Sequence, residues 1–351
     1  MNKERLTQLA LPARKLLSLR AGQGRLLIYP HLHADGDACG SAFALTSLLR
    51  KCDIAAFCVL NEAVEPDYAF LPGAEEALVW PELGPEEKET LRREQAAALM
   101  IDVSEPERLD LRRSLYEAAP VQYILDHHVS EEPNDDYRYV YTEAAATCEL
   151  TAELALALER ESGKKLMTQE EALCLYTGIL TDTGNFSYQN VSPDTLRTAA
   201  YLLSFGIDLP ELTNRLFRVQ SWQRYRIEGR LRLETKRCCG GAITYLALPA
   251  ELLRKLGAED GDLDAMPSIL RDVKGTKLAL MLRETPEGSI RGNLRSQSGY
   301  NVREVAARFG GGGHVNAAGF TLKDISLEAG LEALLEALKE ELINGEKKER
   351  E

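Results

Sequence analysis

Residues 25–51 read RLLIYPHLHADGDACGSAFALTSLLRK, and this stretch decides the fold. Residues 26–29 form a short apolar run closed by Pro30, the signature of a strand buried on both faces. Residues 38–51 then carry a helical pattern with small side chains in the first turn. The loop between them is His31-Leu32-His33-Ala34-Asp35-Gly36-Asp37. Strand, polar loop and helix in that order predict a parallel βαβ unit, whose functional groups collect beyond the carboxyl ends of its strands.

The same alternation continues outward. Apolar runs at residues 54–60, 97–103 and 121–125 predict further strands separated by helix-length segments, and hence an open α/β sheet. Residues 143–162, 169–181 and 192–205 predict helices, with Gly163 as a stop and Ser192-Pro193 as a start. Residues 242–248, 277–283 and 289–294 read as strands, the last two joined by a turn at 285–288, and a helix is expected at 302–309. At 351 residues the chain exceeds the size at which single cores stop growing. The expected division is a parallel-sheet domain at 1–205, a linking helix or connector at 206–230 interrupted by Pro210, a smaller α+β domain at 231–344, and a charged tail at 345–351.

Composition narrows the function classes. The chain is 44% hydrophobic and 28% charged, which supplies a core readily. No apolar stretch approaches the roughly 20 residues a membrane helix needs, and residues 1–20 lack a signal-like apolar centre, so a cytoplasmic protein without a membrane partner is expected. The seven cysteines are scattered, with no Cys-x-x-Cys pair, and are read as reduced thiols. A net charge of −13 argues against a protein that coats long nucleic acid by counterion release, long duplex DNA included. Residues 215–310 nevertheless carry 18 Lys and Arg against 11 Asp and Glu, a locally basic half suited to a small anionic substrate.

Chemistry-bearing residues gather at expected strand ends. All five histidines, His31, His33, His127, His128 and His314, sit in Gly- or Asp-rich segments where a strand or helix stops. An isolated Asp35 or Asp37 would simply cap the following helix. Yet Asp102 follows the run ending at Ile101, and Asp126-His127-His128 follow the run ending at Leu125, so three strand ends bring carboxylates or imidazoles to one sheet edge. A mixed carboxylate and imidazole set of this kind is what a divalent metal site requires. Asp182, at the end of a helical run before Gly184, adds a further carboxylate.

Taken together, the motifs resemble the DHH phosphoesterase family over nearly the whole chain. They are His31–Asp37, Ile101-Asp102-Val103, Leu125-Asp126-His127-His128 and Gly178-Ile-Leu-Thr-Asp182-Thr-Gly184. Asn293-Leu294-Arg295-Ser296 and the run from Gly310 through His314 to Gly319 resemble the DHH-associated C-terminal domain. The resemblance implies a parallel-sheet DHH domain followed by an α+β substrate domain, with the active site in the cleft between them. It implies two Mn²⁺ ions, one held by His31, Asp35, Asp102 and Asp182, the other by Asp37, Asp102 and His127. Asp126 would orient the imidazoles and His128 would contact the phosphate or leaving group, while Arg295, Ser296, Gly312, Gly313 and His314 would bind a second phosphate, the glycines as an open loop of backbone N–H groups. No role is implied for His33.

The implied activity is hydrolysis by an activated hydroxide of short oligoribonucleotides, linear dinucleotides of the pApA type, or 3′-phosphoadenosine 5′-phosphate. This most resembles the bacterial nanoRNase and pAp-phosphatase group. A cyclic dinucleotide phosphodiesterase, a pyrophosphatase-like enzyme and a non-enzymatic nucleotide sensor remain alternatives. The preferred nucleotide, the cleavage direction and a homodimer are left open by the sequence.

Overall fold

The structure, a computed structural model, describes residues 3–19, 24–130 and 132–348. It divides into two compact units, residues 1–219 and 220–351.

The first unit opens with α1 (Lys3–Gln8) and α2 (Ala10–Leu17), followed by β1 (Arg25–Tyr29), α3 (Gly36–Lys51), β2 (Ala56–Leu60) and a short β3 (Leu78–Val79). Next come α4 (Pro85–Glu94), β4 (Gln95–Ile101), α5 (Arg113–Glu117), β5 (Gln122–Asp126) and β6 (Arg138–Val140). Helices α6 (Thr147–Ser162), α7 (Gln169–Asp182), α8 (Pro193–Leu203) and α9 (Leu209–Phe217) complete it. The strands form one parallel sheet in the order β3-β2-β1-β4-β5-β6. Alternation along β1 explains why the run is apolar throughout. Leu26 and Ile28 pack with α3, α6 and α7 on one face, while Leu27 and Tyr29 pack with Trp80, Leu91 and Leu115 on the other.

Gly36, Gly40 and Gly178 bring α3 and α7 unusually close. A Cβ at Gly40 would stand 2.3 Å from the Cys174 carbonyl oxygen, and one at Gly178 would stand 2.7 Å from an Asp37 carboxylate oxygen. These helices therefore meet near the site through backbone rather than side chains.

The second unit contains α10 (Trp222–Glu234), β7 (Lys236–Cys238), β8 (Ile243–Leu248), α11 (Ala250–Leu256), α12 (Met266–Arg271), β9 (Leu278–Glu284) and β10 (Ile290–Ser296). These are followed by α13 (Val302–Ala307), β11 (Gly312–His314), β12 (Ala317–Leu322) and α14 (Leu327–Lys348). Its mixed sheet runs β11-β12-β10-β9-β8-β7, with the β9–β10 hairpin where the sequence placed it. One face packs on α13 and α14, the other on α10, α11 and α12.

The linking helix expected at 206–230 is two helices, α9 and most of α10, because Asp208 and Ser221 each cap a helix start, and the boundary between the units falls between them. Two expectations need correction. The charged segment from 345 continues α14 as far as Lys348; residues 349–351 lie outside the described residues. The glycine run is not an open loop, since residues 312–314 pair with β12.

Candidate functional site

Strands β1 and β4 are neighbours, but the chain leaves β1 toward β2 and leaves β4 toward β5. The two connections diverge, and a crevice opens between them at the carboxyl ends, the usual ligand position in such sheets. His31, Asp35 and Asp37 follow β1, Asp102 follows β4, and Asp126, His127 and His128 end or follow β5. Asp102 has a left-handed φ of 59°, rare for a residue with a Cβ, and its N–H donates to the Leu125 carbonyl at 3.0 Å. That anchored turn puts its buried carboxylate into the crevice.

The donor atoms converge in three overlapping groups: His31 with Asp35 and Asp102, Asp37 with His127 and Asp182, and Asp102 with His127 and His128. His31 Nε2 lies 3.5 Å from Asp102, while His127 Nε2 lies 3.6 Å from Asp102, 3.8 Å from Asp37 and 3.1 Å from Asp182. Asp102 thus stands between both imidazoles. Asp182, which the resemblance groups with His31 and Asp35, lies instead against His127 and Asp37.

Each donor is held from behind. His31 Nδ1 is 2.7 Å from the Leu32 carbonyl and His127 Nδ1 is 3.3 Å from the Ala144 carbonyl, which turns each Nε2 toward the carboxylates. Asp35 does cap α3, accepting from the N–H groups of Asp37 and Ala38. Asp37 has a partner the sequence did not reveal. Its carboxylate accepts from the N–H groups of Thr147 at 2.6 Å and Cys148 at 2.8 Å, capping α6 from outside because Ala146 has no side chain to do so. The Thr147 hydroxyl also donates to Asp102 at 2.9 Å.

Helix α6 is pinned in turn by the N-terminus. Arg5 reaches Glu149 and Glu153, with Nε 2.8 Å from Glu153, and all three side chains are buried. Glu149 also accepts from the Ala145 N–H and the Thr195 hydroxyl. Thr147 and Arg5 are therefore supporting residues that the sequence reading missed. The available signal was a pair of acids four residues apart, Glu149 and Glu153, in an otherwise apolar helix.

The electrostatics state what the cluster demands. Burial and then the neighbouring charge of Asp182 push the Asp37 carboxyl up to about 7. Burial and the charge of Asp37 drive Asp102 well above the usual carboxylate range. Burial opposes protonation of His127, but the Asp182 contact and the Asp37 charge outweigh it and raise the imidazole to about 9. Burial lowers His31. Carboxylates forced together out of water require positive charge. The donor set fits divalent cations. Nε2 of His127 is buried without a hydrogen-bond partner, its approach to Asp182 lacking hydrogen-bond geometry, and mixed imidazole and carboxylate sets suit Mn²⁺ or Zn²⁺ better than Ca²⁺.

Asp126 behaves differently. Burial works against its ionisation, yet the hydrogen bond and charge of His128 and the adjacent backbone N–H groups hold it down at about 2. His128 Nδ1 is 2.8 Å from Asp126, and the ring is one-third exposed. His33 is exposed, with Nδ1 2.8 Å from Glu62, and joins none of the donor groups.

In the second unit, Arg295 on β10, Ala317 on β12 and His314 on β11 lie in one cross-strand row. Asn293, Gly319 and Gly312 form the next row on the same face. The backbones of Arg295 and His314 thus stand about 10 Å apart at two strand spacings, with the small residue Ala317 between them. Ser296, expected beside them, belongs to the opposite face by strand alternation. It is buried, its hydroxyl donating to the Tyr300 carbonyl and accepting from Asn316. Gly313 (φ 136°) is needed because a Cβ there would stand 2.5 Å from the Ala317 oxygen, whereas Gly312 borders open space. Beside the rows a cavity of about 420 Å³ is lined by Asn293, the first residue of the Asn-Leu-Arg-Ser motif, and by Arg283 and Arg291, which sequence reasoning did not single out.

No helix among the described residues is long and apolar enough to cross a membrane. The family model described as "DHH family, N-terminal domain" matches residues 25–179, and the DHHA1 domain matches residues 240–344. A Thermus thermophilus protein named bifunctional oligoribonuclease and PAP phosphatase NrnA is 35% identical over 92% of this chain and 92% of its own length. The Bacillus subtilis protein of the same name is 27% identical over 85% of this chain and 89% of its own. The crystal structure of an exopolyphosphatase-related protein from Bacteroides fragilis superimposes with a TM-score of 0.85 at 25% identity, covering 95% of this chain and 96% of that one. With both domain models matched in order and every motif of the resemblance present, the chain belongs to the DHH phosphoesterase family.

Proposed function

We propose that this chain is a cytoplasmic, manganese-dependent phosphoesterase of short oligoribonucleotides, linear dinucleotides of the pApA type and 3′-phosphoadenosine 5′-phosphate. The observation that carries the reading is the buried His127 Nε2, without a hydrogen bond among Asp37, Asp102 and Asp182 at the sheet's switch point. Support for the substrate class comes from the Thermus thermophilus and Bacillus subtilis relatives, both named as oligoribonuclease and PAP phosphatase.

His31, Asp35 and Asp102 would hold one cation and Asp37, His127 and Asp182 the other, with Asp102 shared. When bound, two such cations stabilise charge on the attacked phosphate and the departing oxygen and lower the pKa of water from 15.7 to about 7. The protein does the rest. Asp126 stays ionised and fixes His128 through Nδ1, which makes Nε2 the ring atom that faces substrate and delivers a proton to the departing oxygen. Thr147 keeps Asp102 in its orientation. Residues 1–205 would perform the chemistry, 206–230 connect, and 231–344 recognise substrate.

In that second domain, Arg295 and His314 would hold a phosphate remote from the scissile bond, with Gly312 leaving room for the ligand and Gly313 letting β11 approach β12 closely enough to present His314. Ser296 would act there only by keeping β10 and Asn316 in place. Substrates of a few nucleotides fit this reading, and long duplexes do not. The test is hydrolysis with Mn²⁺ of a diribonucleotide, pAp, cyclic di-AMP and pyrophosphate in parallel. Turnover of the first two at the highest kcat/KM is expected, and efficient turnover of pyrophosphate alone would overturn the reading.

A further inference from the structure

The most basic stretch of this acidic chain is also its most openly aromatic. Residues 215–237 hold eight Arg and Lys against two Glu, in a protein of net charge −13. Within it, α10 turns Ile227 and Leu231 into the core of the second unit. Trp222, Tyr225, Gly229 and Leu233 recur at helical spacing along the opposite side, Arg226 and Arg230 line the flank beside them, and all are exposed. Trp222 is 71%, Tyr225 59% and Leu233 79% exposed. The Trp222 and Tyr225 rings are stacked, centroids 5.6 Å apart and planes 15° from parallel. Arg230 contacts Glu234 at the surface, where a phosphate can compete for it.

We propose that this face of α10 is a platform for single-stranded RNA, taking a base on the Trp222–Tyr225 pair and backbone phosphates on Arg226 and Arg230. The proposal rests on the short-RNA reading above and extends it to strands longer than the catalytic site itself needs. Aromatic rings beside arginines are the sequence-tolerant means of holding unpaired bases, because every base has a π face. Charge selects this occupant over a second copy of the chain. A two-fold contact would set the same arginine-rich surface against itself, whereas a polyanion neutralises it.

The experiment is fluorescence anisotropy of labelled decauridylate on the full chain in EDTA, where turnover does not interfere. It compares wild type with Trp222→Ala/Tyr225→Ala and Arg226→Gln/Arg230→Gln. The aromatic variant should bind about tenfold more weakly, the scale of one lost base stack. The arginine variant should reduce the slope of log affinity against log salt by about 1.4, from two lost single-strand phosphate contacts. Both should keep wild-type melting temperature and, with Mn²⁺, dinucleotide kcat/KM within about twofold, because the altered side chains are exposed and lie outside the metal site. Unchanged decauridylate affinity in both variants would overturn the platform. So would conversion of a dimer to a monomer by the aromatic variant in light scattering with RNA affinity unaltered, which would assign the face to self-association. If wild type fails to cleave any dinucleotide, the catalytic reading falls while the anisotropy still decides the platform.

Discussion

Asp37, Asp102 and Asp126 are each at most 1% exposed, whereas Gly312, Gly313 and His314 lie on an exposed edge strand. The two regions use polar residues in opposite ways. In the first unit, burial presses carboxylates together until only cations can reconcile them with an ionised state, so geometry and charge demand are one fact. In the second, Arg295 and His314 stand beside glycine and alanine on the sheet, where shape is set by what the side chains leave out. Loss of a residue should therefore be severe and indiscriminate in the first region, and graded and substrate-dependent in the second.

The largest effect expected is from Asp102→Ala. Removing the carboxylate shared between both imidazoles should lower hydrolysis of every substrate by more than 100-fold, since even residues supporting metal ligands typically matter 10–100-fold. Steady-state assays at saturating Mn²⁺ decide it, and retention of a tenth of wild-type activity would break the assignment of Asp102 as the shared ligand. Cation removal should reach the same end reversibly. A chelator should abolish activity, and Mn²⁺ should restore it better than Mg²⁺ or Ca²⁺, because His31 and His127 supply nitrogen donors that hard cations use poorly. Full recovery with Ca²⁺ alone would show that the imidazoles are not ligands.

The next effect lies outside the residues matched by the DHH model. Arg5→Met should destabilise the first unit by about 3–5 kcal/mol, because Glu149 and Glu153 would remain buried without their partner. Chemical denaturation measures this. If the midpoint moves by less than the equivalent of about 1 kcal/mol, α6 is not pinned by the N-terminal helix.

These sites were unequally legible in the sequence for physical reasons. Strand ends in a parallel sheet are announced locally, so the donor groups gathered around His31, Asp102 and Asp126 could be read from apolar runs and the residues that stop them. The partner of Glu149 is 144 residues away, and no periodicity encodes that distance. Thr147 was hidden for the same reason, its relation to Asp37 and Asp102 existing only once α3 and α6 pack. Strands β3 and β6, of two and three residues, are too short to show alternation. The glycine run reads as an open loop because no side chain covers its backbone N–H groups, and the close approach of β11 to β12 that places it in a strand is a tertiary fact.

Substrate dependence separates the two regions further. Arg295→Ala and His314→Ala should leave Mn²⁺ content unchanged and weaken turnover of pAp and dinucleotides by about 10- to 100-fold, the scale of one charge-assisted hydrogen bond. Hydrolysis of bis(p-nitrophenyl) phosphate, which has no second phosphate to anchor, should change less than threefold. An equal loss on both substrates, or loss of bound metal, would move these residues into the chemistry of the first region.

The smallest effect sharpens the comparison within the second region, between two adjacent glycines. At Gly312 a methyl group would meet nothing within 4 Å, so Gly312→Ala should leave the melting temperature within a degree or two. At Gly313 the backbone has φ 136° and a methyl group would press on the Ala317 oxygen, so Gly313→Ala should cost about 1–3 kcal/mol. The stability order is therefore fixed by sterics. Function should follow another order if a phosphate approaches this strand, because Gly312 shares a row with Asn293 on the Arg295 face. Gly312→Ala would then raise KM for pAp several-fold without altering stability, the added methyl group occupying ligand space. Unfolding and kinetic measurements on the same two variants separate these causes. If Gly312→Ala is silent in both, the glycine at 312 serves neither the strand nor the ligand, and the proposed phosphate site of this unit is left to Arg295 and His314.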